Sequence, residues 1–189
     1  MLFKNIRTVK CLNRTLFVVG NVNLLNSPCM SVAGSRQIDS SSAKWLSGIV
    51  SGFGAHTLVS GLALGADAVA HKTALAHNIP QIAVLPSGIN NIVPKQHVQL
   101  ASDIVASGGL LVSEYPANSG PTRGSYVARN KIIAELGKCL IVPQFNTHSG
   151  TRHTVNFASS LKKPIIVQNA NYSGNQFIIN NGSFNTIIK

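Results

Sequence analysis

Three short segments of the sequence combine glycine, serine or threonine with Arg or His, and a fourth combines Tyr with Arg, Asn and Lys. They are residues 34–36, 60–71, 126–131 and 149–154. Glycine lets the backbone come close to a ligand, and free N–H groups at the start of a helix hold an anion. Arg adds a bidentate clasp for phosphate. The chemistry that these segments indicate is the binding of a phosphate-bearing ligand.

The first and last segments each place small residues at a predicted strand-to-helix turn. Their candidate binding residues are Gly34, Ser35, Arg36, Ser149, Gly150 and Thr151. For the first, the alternative is an ordinary turn with a surface Arg. His148 and His153 lie near the last, but lone surface histidines are commoner than metal ligands, and residue order alone indicates no catalytic triad.

The second segment offers Ser60, Gly61 and Gly65 as candidates. Its spacing is not that of the dinucleotide fingerprint, and it lacks the Lys of a Walker loop. We expect Asp67 to be structural, because it falls near a helix N-terminus where its charge suits the dipole. We also expect His71 to be structural, since it lies one turn later on the same face of the helix. A zinc site from Asp67 and His71 would need a third ligand that the sequence does not supply.

The third segment offers Tyr126, Arg129, Asn130 and Lys131. An aromatic ring beside two cations and an amide suits base stacking and phosphate binding. The alternative is the start of an amphipathic helix with solvated charges, and the segment alone does not separate the two.

Short apolar runs alternate with helix-length amphipathic stretches, which predicts an α/β fold with a mostly parallel sheet between two layers of helices. Because ligands bind beyond the carboxyl ends of such strands, the four segments should converge on one edge. The predicted strands are 16–19, 30–33, 56–59, 81–85, 110–112, 140–142 and 164–167. The first predicted helix is capped by Asp39 or Ser40 and closes near Gly52 and Gly54. The other predicted helices cover 66–77, 95–106, 126–136 and 151–161, and 116–124 is a predicted loop.

The chain has 189 residues with 16 Lys and Arg against 5 Asp and Glu, a formal net charge of +11. Hydrophobic residues make up 44%, which excludes a disordered basic tail. We expect one domain over 16–189 after a basic N-terminal arm, 1–15. The shortage of acids favours a polyanionic partner, although a generally basic background would give the same balance.

The three cysteines, Cys11, Cys29 and Cys139, are far apart and not in C-x-x-C pairs. This argues against a disulfide scaffold and a zinc site, and it favours a reducing, cytoplasmic compartment. No apolar run reaches the length of a membrane span, so no membrane partner is expected. The basic first fifteen residues are too poor in serine for a transit peptide.

Six motifs in their order resemble the DNA-processing protein A family (DprA, also called Smf). They are Ser-Gly-Leu-Ala-Leu-Gly-Ala-Asp at 60–67 with Ala70 and His71, Ala-Val-Leu-Pro-Ser-Gly at 83–88, Pro94, Gly-Gly-Leu-Leu-Val-Ser-Glu-Tyr-Pro at 108–116, Arg-Asn-Lys-Ile-Ile-Ala at 129–134, and Ser-Gly-Thr at 149–151. The resemblance covers the chain from Leu16 to the tail.

The resemblance implies a three-layer, extended Rossmann-like fold of the SLOG superfamily. It implies a non-enzymatic homodimer that binds single-stranded DNA, protects incoming DNA and helps to load a RecA-type recombinase in natural transformation. The candidate residues of all four segments would then line the DNA-phosphate site, with no catalytic residue, cofactor or metal. The winged-helix domain of many members is expected to be absent.

Two alternatives remain open. Some SLOG domains bind nucleotide signals, and the same glycine loops would serve that function. A related phosphoribohydrolase branch cleaves nucleoside monophosphates but carries a glutamate in its last motif. The comparable stretch here ends at Thr154 without one, which makes this enzyme the less favoured reading.

Overall fold

The computed structural model describes residues 2–181 and 184–188, so three residues of the predicted 16–189 domain (182, 183 and 189) lie outside it. The strands are β1 (Arg7–Cys11), β2 (Arg14–Gly20), β3 (Cys29–Val32), β4 (Thr57–Ser60), β5 (Gln81–Leu85), β6 (Leu110–Ser113), β7 (Gly137–Val142), β8 (Ile165–Val167) and β9 (Thr186–Ile188). The helices are α1 (Ser40–Ser51), α2 (Ala66–Ala76), α3 (Val98–Ala106), α4 (Arg123–Leu136), α5 (Thr151–Ser160) and α6 (Ser173–Ile179). Short 3-10 helices cover Val22–Asn26 and Lys95–His97.

All the described strands form one sheet in the order β1-β2-β6-β5-β4-β3-β7-β8-β9. From β6 to β9 the neighbouring strands are parallel, and only the pairs β1–β2 and β2–β6 are antiparallel. The predicted mostly parallel α/β fold is therefore confirmed. The chain winds outward from β3 to β6, returns through α4, and then winds in the opposite direction from β7 to β9. The junction of β3 and β7 is thus a topological switch point.

Alternate residues of the central strands pack against different helical layers, as the period of two requires. Leu58 of β4 packs against α1 and α2, whereas its neighbour Val59 packs against α4. On β5, Ala83 packs on the α3 side and Ile82 on the α4 side. Helices α1–α3 cover one face of the sheet and α4–α6 the other, so both faces are buried.

Residues 7–11, which the sequence assigns to a basic arm, form the edge strand β1. It pairs with β2 through a hairpin whose two loop residues, Leu12 and Asn13, both have positive φ. Val9 and Cys11 pack against the core while Arg7 and Lys10 are exposed. The sequence does not predict this hairpin, because its loop lacks the Asn-Gly pair that is typical of such turns.

Several element ends lie one to three residues from the predicted ones, and two further differences concern the start of α4 and the tail of the chain. Helix α4 begins at Arg123, inside the predicted loop 116–124, because Thr122 and Ser125 form a reciprocal cap with N–H···O distances of 3.2 and 2.8 Å. The tail after residue 168 contains α6 and β9, neither of which the sequence predicts. Within the described part of the chain, no helix is both long and apolar enough to cross a membrane.

Candidate functional site

A groove of about 1220 Å³ lies beyond the carboxyl ends of β3, β4 and β7, at the switch point of the sheet. We call it the main groove. It is lined by residues from four segments, 33–37, 63–67, 123–133 and 149–154. The loops that were expected to converge on one edge therefore do so.

The loop after β3 is shaped by Gly34 and Ser35. A Cβ at Gly34 would lie 2.7 Å from that of Ala66, so only glycine fits between the loop and α2. The backbone N–H of Ser35 donates to the carbonyl of Gln144 at 2.7 Å, and the Ser35 hydroxyl accepts from the N–H of Gln37 at 3.0 Å. The Ser35 hydroxyl therefore holds the loop, and the loop presents Arg36 as an exposed side chain.

Arg36 lies over Tyr126 of α4, with its guanidinium carbon 5.5 Å from the ring centre. Both residues line the main groove and also a smaller pocket of about 100 Å³, which Pro86, Val93 and Pro94 help to form. The cation–π contact thus stands where the two spaces meet. No described carboxylate forms an ion pair with Arg36, so its N–H groups are not held by one.

Arg129 lies below this surface and is only 6% exposed. Its guanidinium donates to the carbonyl of Gly61 and lies 3.8 Å from a carboxylate oxygen of Asp67. That carboxylate also accepts from the N–H groups of Gly61 and Ala63, at 3.2 and 3.1 Å. Burial lowers the pKa of Arg129, while the charge of Asp67 opposes that effect. The three residues Gly61, Asp67 and Arg129 form a buried brace that joins the loop after β4 to α4.

Two further candidates of the same loop lie behind the groove rather than on its surface. Ser60 is fully buried, and its hydroxyl donates to the carbonyl of Val32 at 3.0 Å. Gly65 has φ +70° and ψ −122°, and its backbone packs against the carbonyl of Ser35. Only glycine tolerates this combination of torsion and contact, so Gly65 fixes how the loops after β3 and β4 meet.

The loop after β7 is tied to both neighbours. The hydroxyl of Thr151 donates to the carbonyl of Gly34 at 3.0 Å, and the amide of Asn130 donates to the carbonyl of Gly150 at 3.2 Å. The hydroxyl oxygen of Ser149 is shielded from solvent and has no hydrogen-bond partner within the described residues. These contacts hold residues from β3, α4 and α5 around one end of the groove.

Lys131, a candidate of the third segment, and Arg152, a cation within the last segment 149–154, do not line the main groove. Lys131 is half exposed and lies 4.0 Å from Glu135 on its own helix. Arg152 points over Phe177 of α6. In contrast, the exposed Arg123 and His153 line the groove and were not among the candidates. The capping box of α4 is the signal for Arg123, because it brings that residue into the first helical turn.

All five acidic side chains are already bonded within the protein. Asp39 caps α1, Asp67 belongs to the buried brace, and Asp103 accepts from Gln99. Glu114 and Glu135 both bind Arg14, at 3.2 and 2.7 Å. Asp67 is the one carboxylate among the described residues that line the main groove. No described carboxylate therefore pairs with the exposed Arg36, Arg123 or His153.

The fold and the position of the groove define a Rossmann-like protein with a candidate anion site at its switch point. The family model described as DNA recombination-mediator protein A matches residues 3–187. The chain therefore belongs to the DNA-processing protein A (DprA/Smf) family.

Curated relatives agree with this assignment. The chain is 38% identical to Protein Smf of Escherichia coli over 145 residues, which are 76% of this chain and 39% of that protein. It is 36% identical to DNA processing protein DprA of Streptococcus pneumoniae over 137 residues, 72% of this chain and 48% of that protein. The chain thus spans less than half the length of these two relatives.

Solved structures share the fold. DprA from Streptococcus pneumoniae superposes with a TM-score of 0.85 and 30% identity over 92% of this chain and 62% of that one. DprA from Helicobacter pylori, whose structure concerns its single-stranded DNA binding mode, gives a TM-score of 0.90 and 25% identity over 98% and 92%. A molybdenum cofactor binding protein of Rippkaea orientalis, with a TM-score of 0.60 and 23% identity over 86% and 88%, shares the fold alone.

Proposed function

We propose that this chain binds single-stranded DNA along the main groove, through phosphates and with little dependence on base sequence. The observation that carries the proposal is the pair of exposed cations on one groove, Arg36 and Arg123, together with the exposed imidazole of His153 and a single carboxylate that is already bonded. A polyanion gains most where cations have no internal partner, because no ion pair must first be broken. The similarity to Helicobacter pylori DprA supports this ligand class.

Tyr126 adds a contact for bases. Its partly exposed ring lines the groove beside Arg36, and every base has a π-face that can stack on such a ring. Gly124 and Gly150 also line the groove, so the backbone is open to a close approach there. A site that contacts the phosphates and stacks any base on an aromatic ring can bind single-stranded DNA of any sequence.

The proposed mechanism is binding without chemistry. The groove's carboxylate, Asp67, accepts hydrogen bonds from two backbone N–H groups through one of its oxygens, and the guanidinium of Arg129 lies 3.8 Å from that same oxygen. It is therefore poorly placed to act as the acid or base of a phosphoribohydrolase. We further propose, from the family membership, that the protein is a homodimer, protects DNA in transformation or recombination, and delivers it to a RecA-type recombinase.

A nucleotide-signal sensor is the second candidate. The observation that favours it is the smaller pocket beside Tyr126, whose volume of about 100 Å³ suits a compact group rather than a continuous strand. A free nucleotide could place its base there and its phosphate beside Arg36. The two functions differ in whether one nucleotide suffices for tight binding.

The test is fluorescence anisotropy with labelled oligo-dT of about 20 nucleotides, titrated with salt and challenged by duplex DNA and free nucleotides. We expect oligo-dT to bind most tightly and log affinity to fall with log salt at about 0.7 for each neutralised phosphate. Binding that ignores salt, or that free mononucleotides displace at equal concentration, would overturn the proposal. Release of a nucleobase from nucleoside monophosphates would establish the enzyme instead.

A further inference from the structure

Outside the main groove, a second cation–aromatic pair lies on the surface of α5 and α6. The guanidinium carbon of Arg152 is 4.9 Å from the ring centre of Phe177. Arg152 is exposed and has no carboxylate partner among the described residues, while Phe177 is partly exposed. The Phe177 ring is held from behind by Phe184, with ring centres 5.5 Å apart in an edge contact. We call Arg152 and Phe177 the outer platform.

The outer platform is continuous with the groove wall. Arg152 lies between Thr151 and His153, which both line the groove, and its backbone N–H donates to Ser149 at 3.1 Å. Helix α6, which carries Phe177, is fixed to the loop after β7. The N–H of Gly174 donates to the carbonyl of Phe145 at 3.1 Å. A ligand leaving the groove at the start of α5 therefore meets the outer platform next.

The chemistry of the platform is that of a single-strand contact. A guanidinium stacked on a ring is held flat, keeps its N–H edge free for phosphate, and offers its outer face to a base. Since the five acidic side chains are all bonded elsewhere, no negative side chain competes for this cation. Neither Arg152 nor Phe177 is used by the main groove.

We propose that the outer platform is a second contact point for the same DNA strand, engaged only by strands long enough to run out of the main groove past α5. The proposal rests on the proposed function, since it extends that binding path. The proposed path of the strand then runs from Arg36 across the groove to Arg152. Arg152 and Phe177 would increase the affinity for long strands and would not contribute to the binding of short ones.

The experiment measures affinity for oligo-dT from about 4 to about 24 nucleotides with the full chain and two charge-matched variants. Arg152→Gln removes the platform cation. Lys72→Gln removes an exposed cation of α2, on the opposite face of the sheet, and serves as the control. For Arg152→Gln we expect short oligonucleotides to bind within about twofold of the unaltered chain and long ones to lose about fivefold. Its salt slope for long strands should fall by about 0.7.

Each outcome separates the two proposals. If Arg152→Gln and Lys72→Gln behave alike at every length, or if Arg152→Gln weakens short and long strands equally, the outer platform is overturned while the groove proposal stands. If the unaltered chain binds no oligonucleotide, the proposed function itself fails. Phe177→Leu, which keeps an apolar side chain in the core contact, should reproduce the length-dependent loss, and an unchanged length profile in that variant would contradict the role of the ring.

Discussion

The guanidinium of Arg36 and the ring of Tyr126 meet at 5.5 Å and join the loop after β3 to the first turns of α4. An exposed contact of this kind contributes about 0.5–1 kcal/mol, which is enough to orient a long side chain while it stays accessible to solvent. Arg36 therefore stands ready in the groove with its hydrogen-bonding edge free. In the proposed function, this is the feature of the site that most directly binds an incoming phosphate.

Replacing Arg36 should weaken DNA binding more than replacing Lys131. For Arg36→Ala we expect about a tenfold loss of affinity for any single-stranded sequence and a salt slope lower by about 0.7. Lys131→Ala should change affinity by less than about twofold, because that side chain lies outside the groove and near Glu135. Anisotropy titrations of both variants provide the comparison. Equal losses would place Lys131 on the DNA path after all.

The buried brace should behave as one energetic unit. Asp67→Asn and Arg129→Met each leave a buried polar partner unpaired, so each should lower the free energy of unfolding by about 3–5 kcal/mol. The double variant should lose clearly less than the sum of the two, since neither uncompensated charge then remains. Urea unfolding of the four proteins measures this coupling. Strictly additive losses would mean that the two side chains stabilise the fold independently.

Gly65 and Gly54 form a matched pair for testing the loop contact. Both have positive φ, +70° and +57°, but a Cβ at Gly65 would run into the Ser35 carbonyl, whereas one at Gly54 would meet nothing within 4 Å. Gly54→Ala should cost about 1 kcal/mol from torsion alone. Gly65→Ala should cost more than about 2 kcal/mol, because its ψ of −122° and the contact with Ser35 both oppose a Cβ. It should also weaken DNA binding, because the contact displaces the loop that carries Arg36. Chemical denaturation with a binding assay checks both effects, and equal costs would exclude the loop contact as the cause.

His71 should make the protein less stable in mild acid. Burial lowers its pKa, although the hydrogen bond that its ring N–H donates to the amide oxygen of Gln81 and the charge of Asp67 oppose the shift, and His97 adds to it. The folded state thus keeps His71 neutral below about pH 6.5, where the unfolded chain takes up a proton. Its contribution is complete above about pH 6.5 and is lost as the pH falls through that value toward the lowered folded pKa.

The measurement is the free energy of unfolding between about pH 5 and pH 8 for the unaltered chain and for His71→Met. The variant cannot titrate at this position, so its stability should fall less steeply with acid even if its overall stability is lower. The difference in slope cancels the contributions of the other histidines. The same slope in both proteins would show that His71 does not control this response.

Much of the architecture can be read from the sequence, because its apolar runs and helix signals are separated by glycine. Strand β5 and the cap at Asp39 fall where they are predicted. The strand order cannot be read in this way, since nothing local to β7 says that it pairs with β3 rather than with β6. That pairing is what brings residues 34–36 and 149–154 together, so the site depends on a contact between distant parts of the chain.

Within the site, sequence reasoning identified the segments better than the roles of their members. Arg129 shares a buried face of α4 with Ser125 and Ile133, and that spacing of four residues was a signal for burial. The hydroxyl of Ser60 likewise donates its hydrogen bond to a backbone carbonyl of the neighbouring strand and is not available to a ligand. A cation or hydroxyl in a binding motif can support the motif from the protein interior instead of contacting the ligand. Only the packing around the side chain distinguishes these two roles.

The switch point has a mechanical consequence for the two halves of the sheet. In the order of the sheet, one half runs from β1 to β3 and the other from β7 to β9. They meet only where β3 pairs with β7, and Arg36 and His153 follow these two strands in the chain. A strand of DNA that contacts both of those residues would hold the two halves of the sheet together where β3 pairs with β7. Hydrogen exchange at the amides of β3 and β7 should then slow when DNA is bound, although no nucleotide touches those strands.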